Sequence, residues 1–348
     1  MDIGKAFTSS FEGLKKNKSV IVPILISLIV PIILVFVYLH ISGLYDVVID
    51  AVYLAQEYDE KKADYVFSNY NLSDKNYTSE ALGYFSGRGE YRKGLVDYWE
   101  ANGIITRSIG LLNLKNIIWG IFFITSITIL SIYLSCASYA IVLLSIRKEK
   151  LDYRNTISLT NKFWSRYILT GLLLFIITFV PISLGILLMV LSFLLNLWIG
   201  VISIILFIVF MIIYLVFISV RLLFVYPILF YDDMPSSQSI KKCFTITKNN
   251  FKQLLIVFGI MYGIGATVNS IGFTPFFESF YNLLLPENIL KSISIFFLIV
   301  FFLLVGSFVS AFQILFLFYS YLDLQSSKTS KISATVSAYK TKGGKYEN

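Results

Sequence analysis

The stretch that decides the fold runs from Ile168 to Tyr231 and reads ILTGLLLFIITFVPISLGILLMVLSFLLNLWIGVISIILFIVFMIIYLVFISVRLLFVYPILFY. Its one charge is Arg221. A transmembrane helix needs about 20 apolar residues to cross a bilayer. This run is therefore too long for one crossing and must turn, and Asn196-Leu197-Trp198 is where it does so most readily. Outward from it lie four more apolar blocks, Ser19–Ile41, Ile117–Ile146, Leu254–Phe273 and Ile293–Leu322. These continuous runs are not the short alternating segments of a membrane β-barrel. The predicted fold is an all-α polytopic membrane protein with six spans.

Composition agrees. The chain has 348 residues, 57% of them hydrophobic and 14% charged. A soluble domain carries about 45–50% apolar and about 25% charged residues. A water-soluble globule, a disordered chain and a disulfide scaffold are excluded. With one histidine, His40, and two cysteines, Cys136 and Cys243, no metal site and no cofactor are expected. The first apolar block is too long for a signal peptide and has no small-residue cleavage site behind it.

Charge placement gives the orientation. Residues 1–18, 147–167, 232–252 and the tail after Leu322 are each net basic. Residues 40–115 instead hold eleven acids and eight bases, and the turn near Asn196 has no charge. The two classes alternate along the chain. Basic loops stay cytoplasmic, so both termini are predicted in the cytoplasm and 42–115 outside. The predicted segments are an amphipathic helix over 1–18, the first span over 19–41, a helical extracytoplasmic loop over 42–115 and the second span over 116–146. A second amphipathic helix over 147–167 precedes spans three and four over 168–231. A third over 232–252 precedes span five over 253–274, an outer loop over 275–291, span six over 292–322 and a disordered tail over 323–348. The +8 net charge then points to anionic lipid headgroups rather than nucleic acid.

An internal repeat is also expected. Ala6–Lys16, Ile157–Arg166 and Cys243–Lys252 each place apolar residues at helical spacing with basic and hydroxyl residues between. Ile3, Phe7, Phe11 and Leu14 form one stripe, and Ile240, Phe244, Thr247 and Phe251 another. Such helices lie in the membrane interface. Pro31 and Pro181 follow at matching offsets and are candidate kinks. The even spans place Ser138, Arg221 and Gln313 at similar distances from their charged exits. The unit read three times is an interfacial helix followed by two spans.

An interfacial helix before each hairpin, with Arg221, Tyr226-Pro227-Ile228, Asp232-Asp233, Ser239, Phe244, Lys248 and Phe251 through the middle, resembles a known pattern. It is similar to the six-span archaeal and bacterial families related to the membrane domain attached to some glycerophosphodiester phosphodiesterases. The resemblance covers the spans and not the 40–115 insertion. It implies architecture and no activity, since the catalytic barrel with its histidines has no counterpart in this sequence.

Few residues offer chemistry. Arg221 is the one ionisable residue inside the spans and is placed near mid-bilayer. Its expected partners are Gln313, Asn269, Asn196, backbone carbonyls freed at proline, or a lipid or substrate anion. Gly259 and Gly263, with Gly306 and Ser310, are small-residue faces for helix packing, between spans five and six or between two copies. Asn71-Leu72-Ser73 and Asn76-Tyr77-Thr78 are glycosylation sequons on the predicted outer side. Asp232-Asp233 is expected to cap the following helix. Hydrolase and nucleotide motifs are missing. The expected function is therefore a non-enzymatic membrane scaffold or assembly subunit, with lipids and a homo-oligomer or partner subunit as partners. The alternative is a transporter or lipid-handling protein with a site near Arg221.

Overall fold

The computed structural model describes residues 2–69, 96–195, 197–248, 250–283 and 289–343. Asn71, Asn76 and Asn196 lie outside the described residues, as does the side chain of Asn269. Every regular element among the described residues is helical. In chain order they are α1 (Ile3–Lys16), α2 (Ile21–Ser42), α3 (Leu44–Asn69), α4 (Ile104–Leu111), α5 (Leu114–Arg147), α6 (Tyr153–Leu195), α7 (Leu197–Leu222), α8 (Val225–Tyr231), α9 (Ser236–Lys248), α10 (Phe251–Leu283) and α11 (Ile289–Gly343). Among the described residues, five stretches are long and apolar enough to cross a membrane: Lys18–Ser42, Leu114–Arg147, Tyr153–Leu194, Gly200–Tyr231 and Phe297–Ser327. The apolar part of α10 is described for a shorter stretch, Phe251–Thr267.

Contacts group the chain into two compact units. One comprises residues 1–27, 131–270 and 304–348, the other 28–130 and 271–303. Within the first unit, α6 ends at Leu195, α7 begins at Leu197, and the two helices pack against each other. Their close approach depends on glycine. A Cβ at Gly185 would fall on the Phe207 ring, and one at Gly200 on the Phe193 ring. Tyr214 ties the two helices by donating its hydroxyl to the Ile177 carbonyl at 2.6 Å. The outward residues are large and apolar, with Leu188 and Leu206 each 65% exposed. Gly185→Val would drive a branched side chain into Phe207. Overpacking costs about 1–3 kcal/mol, and the variant is expected to lower the detergent-solubilised protein's unfolding midpoint.

The packed centre of this unit is α8 and its surroundings. Val225, Ile228, Leu229 and Phe230 have no exposed surface. Around the core lie Cys136, Ala140 and Leu143 of α5, Phe163 of α6, and Leu315, Phe316 and Phe318 of α11. Tyr139, Tyr167 and Tyr226 bring a ring cluster to Phe230, with centroid separations of 5.1 Å for Tyr139–Tyr226 and 4.8 Å for Tyr167–Tyr226.

Two boundaries differ from those read in the sequence. The stretch over 147–167 is not a separate amphipathic helix, because α6 runs unbroken from Tyr153 into the span. No glycine or proline stands between Tyr153 and Thr170 to stop it. The tail after Leu322, expected to be disordered, continues α11 as far as Gly343. Its Ser, Lys, Thr and Ala residues propagate a helix already started by the buried Tyr321 and Leu324. In α1, Phe7 and Phe11 of the apolar stripe stay exposed. Ala6, Ser10, Gly13 and Leu14 are buried instead, while Phe7 is 43% and Phe11 53% exposed. Small residues allow close approach: a Cβ on Gly13 would lie 3.2 Å from the Tyr319 hydroxyl of α11. Phe7 rests edge-on against Phe312 at 5.0 Å.

In the second unit, α2 ends at Gly43, whose φ of +73° is a left-handed conformation open to glycine. The first span therefore does not run on into α3. Asn116, at the start of α5, donates to the carbonyls of Ser42 at 3.0 Å and Leu111 at 2.9 Å. The apolar stripe of α3 buries Val47 and Ala55. Residues 96–101 are helical, and Trp99 donates its indole N–H to the Ala51 carbonyl at 3.0 Å. Arg107 and Asp50 pair at 2.7 Å.

Candidate functional site

Arg221 lies in the last turn of α7. The helix stops one residue later, at Leu222, and resumes as α8 at Val225. The cause is Pro227. In an unbroken helix its nitrogen would have to donate to the Leu223 carbonyl, which proline cannot do. In the first turn of α8 that missing donor costs nothing, because the first N–H groups of a helix have no partner within it.

The side chain of Arg221 meets α9 and α10. Nη1 donates to the Phe244 carbonyl at 3.3 Å. The guanidinium carbon stands 5.0 Å from the Phe217 ring centre and 5.7 Å from that of Phe251. Nε is buried without a hydrogen-bond partner. The backbone carbonyl of Arg221 accepts from the Cys243 thiol at 3.1 Å and from the Thr247 hydroxyl at 3.5 Å. Phe217 precedes Arg221 by one helical turn, a spacing that signals this stack and that hydropathy alone hides.

Among the described candidates, Gln313 does not reach Arg221. Gln313 of α11 donates to the Met261 carbonyl of α10 at 3.1 Å. Its Nε2 would lie 3.3 Å from a Cβ on Gly265. Gly259 and Gly263 meet no described atom within 4 Å of an added Cβ. The close approach of α10 and α11 thus falls at Gly265, one turn beyond Met261, and away from the GxxxG pair. Ser310 is half-buried in α11, as is Gly306. Pro31 and Pro181 sit inside α2 and α6, both of which remain helical through them.

Asp232 and Asp233 are not caps of α9. They are ion-pair anchors between α8 and α9. Asp232 accepts from Lys242 of α9 at 2.8 Å and from the Tyr321 hydroxyl of α11. Asp233 pairs with Lys162 and Arg166, one turn apart on α6, the latter at 2.6 Å. Ser236 donates to the Arg166 carbonyl at 2.9 Å, and Arg147 to that of Tyr231 at 3.2 Å. Asp233 takes a left-handed φ of +53° to reach its partners.

The Lys162 and Arg166 hydrogen bonds hold the Asp233 carboxyl below its ordinary value of 3.8. A carboxyl depressed in the folded state contributes stability that is present above its unfolded pKa and lost as pH falls through its folded one. The unfolding midpoint is therefore expected to fall as pH drops below about 3.8, and Asp233→Asn to flatten that fall. A profile unchanged by the substitution would assign the acid sensitivity to other groups.

Among the described residues, no group of three or more His, Cys, Asp and Glu could hold a metal ion. Cys136 and Cys243 are both buried free thiols. Compared with known proteins, the chain matches no family model, no curated protein and no solved structure.

Proposed function

We propose that the chain is a non-enzymatic, six-span membrane scaffold or assembly subunit. The observation that carries this reading is the centre of the first unit. It is filled by side chains such as Phe230, Phe316, Phe318 and Leu143, none of them exposed. A transporter needs a polar route at that level, whereas Arg221 and Gln313 are engaged on separate backbone carbonyls. Five stretches among the described residues are long and apolar enough to cross a bilayer, and α10 supplies the sixth crossing over 253–274. Both termini are cytoplasmic and 42–115 is extracytoplasmic, on the strength of the basic flanks.

The three-fold unit pairs α1 with α2 and α5, the start of α6 with its own continuation and α7, and α9 with α10 and α11. Pro31 and Pro181 act as kinks in equivalent spans. Exposed Phe7 and Phe11 embed α1 in the inner leaflet, with anionic headgroups against its lysines. The likeness to the membrane domain of the phosphodiesterase-linked families is part of the same proposal and concerns architecture alone. The partner is a second copy or another membrane subunit. Alkaline carbonate washing should leave the protein in the membrane pellet. Cysteines placed over 44–58 should react with an impermeant reagent added outside intact cells. Labelling only after permeabilisation would overturn the orientation.

A further inference from the structure

We propose that Arg221 holds the phosphate of an anionic phospholipid, with Lys248 and Lys252 at the edge of the same site; the inference rests on the membrane reading above. The starting point is an unbalanced charge. A guanidinium carries five N–H donors and stays protonated. Arg221 uses one of them, on the Phe244 carbonyl, and its Nε is enclosed with no partner. Arg221 is half-buried, and an enclosed N–H without an acceptor is costly.

Among the described residues, no carboxylate pairs with Arg221. Asp232 is committed to Lys242, Asp233 to Lys162 and Arg166, and Asp152 to Lys150. The rings of Phe217 and Phe251, whose centres are 5.7 Å apart, lie together against the guanidinium. They stabilise the cation and restrict its motion, but they accept no hydrogen bond in the plane of its donors. The unfilled position is thus an oxyanion in the plane of a guanidinium that rests against a pair of touching rings. A phosphate, which takes two parallel N–H bonds from arginine, fits it.

The surroundings favour a phosphate attached to lipid. Lys248 stands one turn beyond Phe244 on α9, and Lys252 directly follows Phe251 at the start of α10. Both lysines are exposed, and neither has an ion-pair partner among the described residues. On the other side, Phe217 and the outer residues of α7 form an exposed apolar surface. A group with a phosphate between cations and acyl chains along apolar helices is a phospholipid, and two further lysines select a net negative headgroup.

The test uses the full chain purified in detergent. Native mass spectrometry would count retained lipid, and unfolding midpoints would be measured against phosphatidylglycerol, phosphatidylcholine and inorganic phosphate. The wild type is expected to retain and be protected by phosphatidylglycerol in preference to phosphatidylcholine. Arg221→Gln should weaken that apparent affinity about ten- to hundredfold, the usual range for a lost charge-assisted hydrogen bond. Lys248→Gln combined with Lys252→Gln should give a smaller loss of selectivity with the fold intact by circular dichroism. A folded Arg221→Gln protein with unchanged selectivity overturns the proposal, and so does a wild type indifferent to headgroup charge. If Arg221→Gln does not fold, the double lysine variant decides: unchanged selectivity there counts against the site. Equal protection by inorganic phosphate overturns the lipid assignment. Loss of the protein from carbonate-washed membranes would overturn the six-span reading, whereas a membrane-retained but headgroup-indifferent protein would overturn this inference alone.

Discussion

Phe230→Ala is expected to lower stability by about 3–5 kcal/mol, the range for truncating a buried phenylalanine. Phe230 has no exposed surface. Its ring lies 4.7 Å from that of Phe163 on α6, stacks on Tyr139 of α5 at 5.5 Å and meets Tyr167 edge-on at 6.2 Å. It is therefore the contact through which α8 holds α5 and α6 together. These neighbours are rings anchored on long helices and cannot collapse into the space left, so the cavity contribution should be near its upper range. Phe230→Leu retains most of the volume and should cost well under half as much. The measurement is the unfolding midpoint in detergent, followed by tryptophan fluorescence. A Phe230→Ala protein as stable as Phe230→Leu would mean that the ring cluster does not hold the centre of the unit.

The helix class and the presence of helices long and apolar enough to cross a membrane were legible in the sequence, because each depends on long-range composition. A run as apolar as Ile168–Tyr231 leaves no soluble alternative, and Asn196 is the polar break within it. Two local readings failed for one physical reason: helix boundaries depend on single residues. Pro227 stops the α7 helix just after Arg221, although the apolar run continues through it. The span beginning near Ile168 starts instead at Tyr153, since nothing in Arg154–Tyr167 interrupts a helix. The face that α1 buries was hidden in a different way. Its Phe7 and Phe11 carry the hydropathy, yet Gly13 and Ala6 decide the docking by allowing Tyr319 to come close. Pairing was the least legible feature. Asp232-Asp233 next to Met234-Pro235 reads as a capping motif, and its actual partners, Lys162, Arg166, Lys242 and Tyr321, come from three other helices. No local spacing in one sequence connects them.

That pairing carries the second large effect. Asp232→Ala is expected to cost about 2–3 kcal/mol, somewhat below the range for breaking a fully buried ion pair, because Lys242 remains 29% exposed. Asp232 itself is 12% exposed. The loss comes from what the substitution strands. One carboxylate oxygen accepts from both the Lys242 ammonium and the Tyr321 hydroxyl, so alanine leaves a half-buried cation and a donor on a side chain with no exposed surface. Two further variants separate these contributions. Asp232→Asn keeps one acceptor oxygen in place and should cost about 1 kcal/mol, the scale of a weakened hydrogen bond. Lys242→Met removes the cation while its chain still covers the apolar side of α9. Combining it with Asp232→Ala should recover a large part of the stability lost by the single change, since an absent charge needs no partner. A double-mutant cycle on unfolding midpoints gives the coupling directly. Additive effects of Asp232→Ala and Lys242→Met would show that the pair is a surface contact. In that case α9 would be held by its buried residues, such as Ile240, Cys243 and Thr247, and by its hydrogen bonds to Arg166 and Arg221.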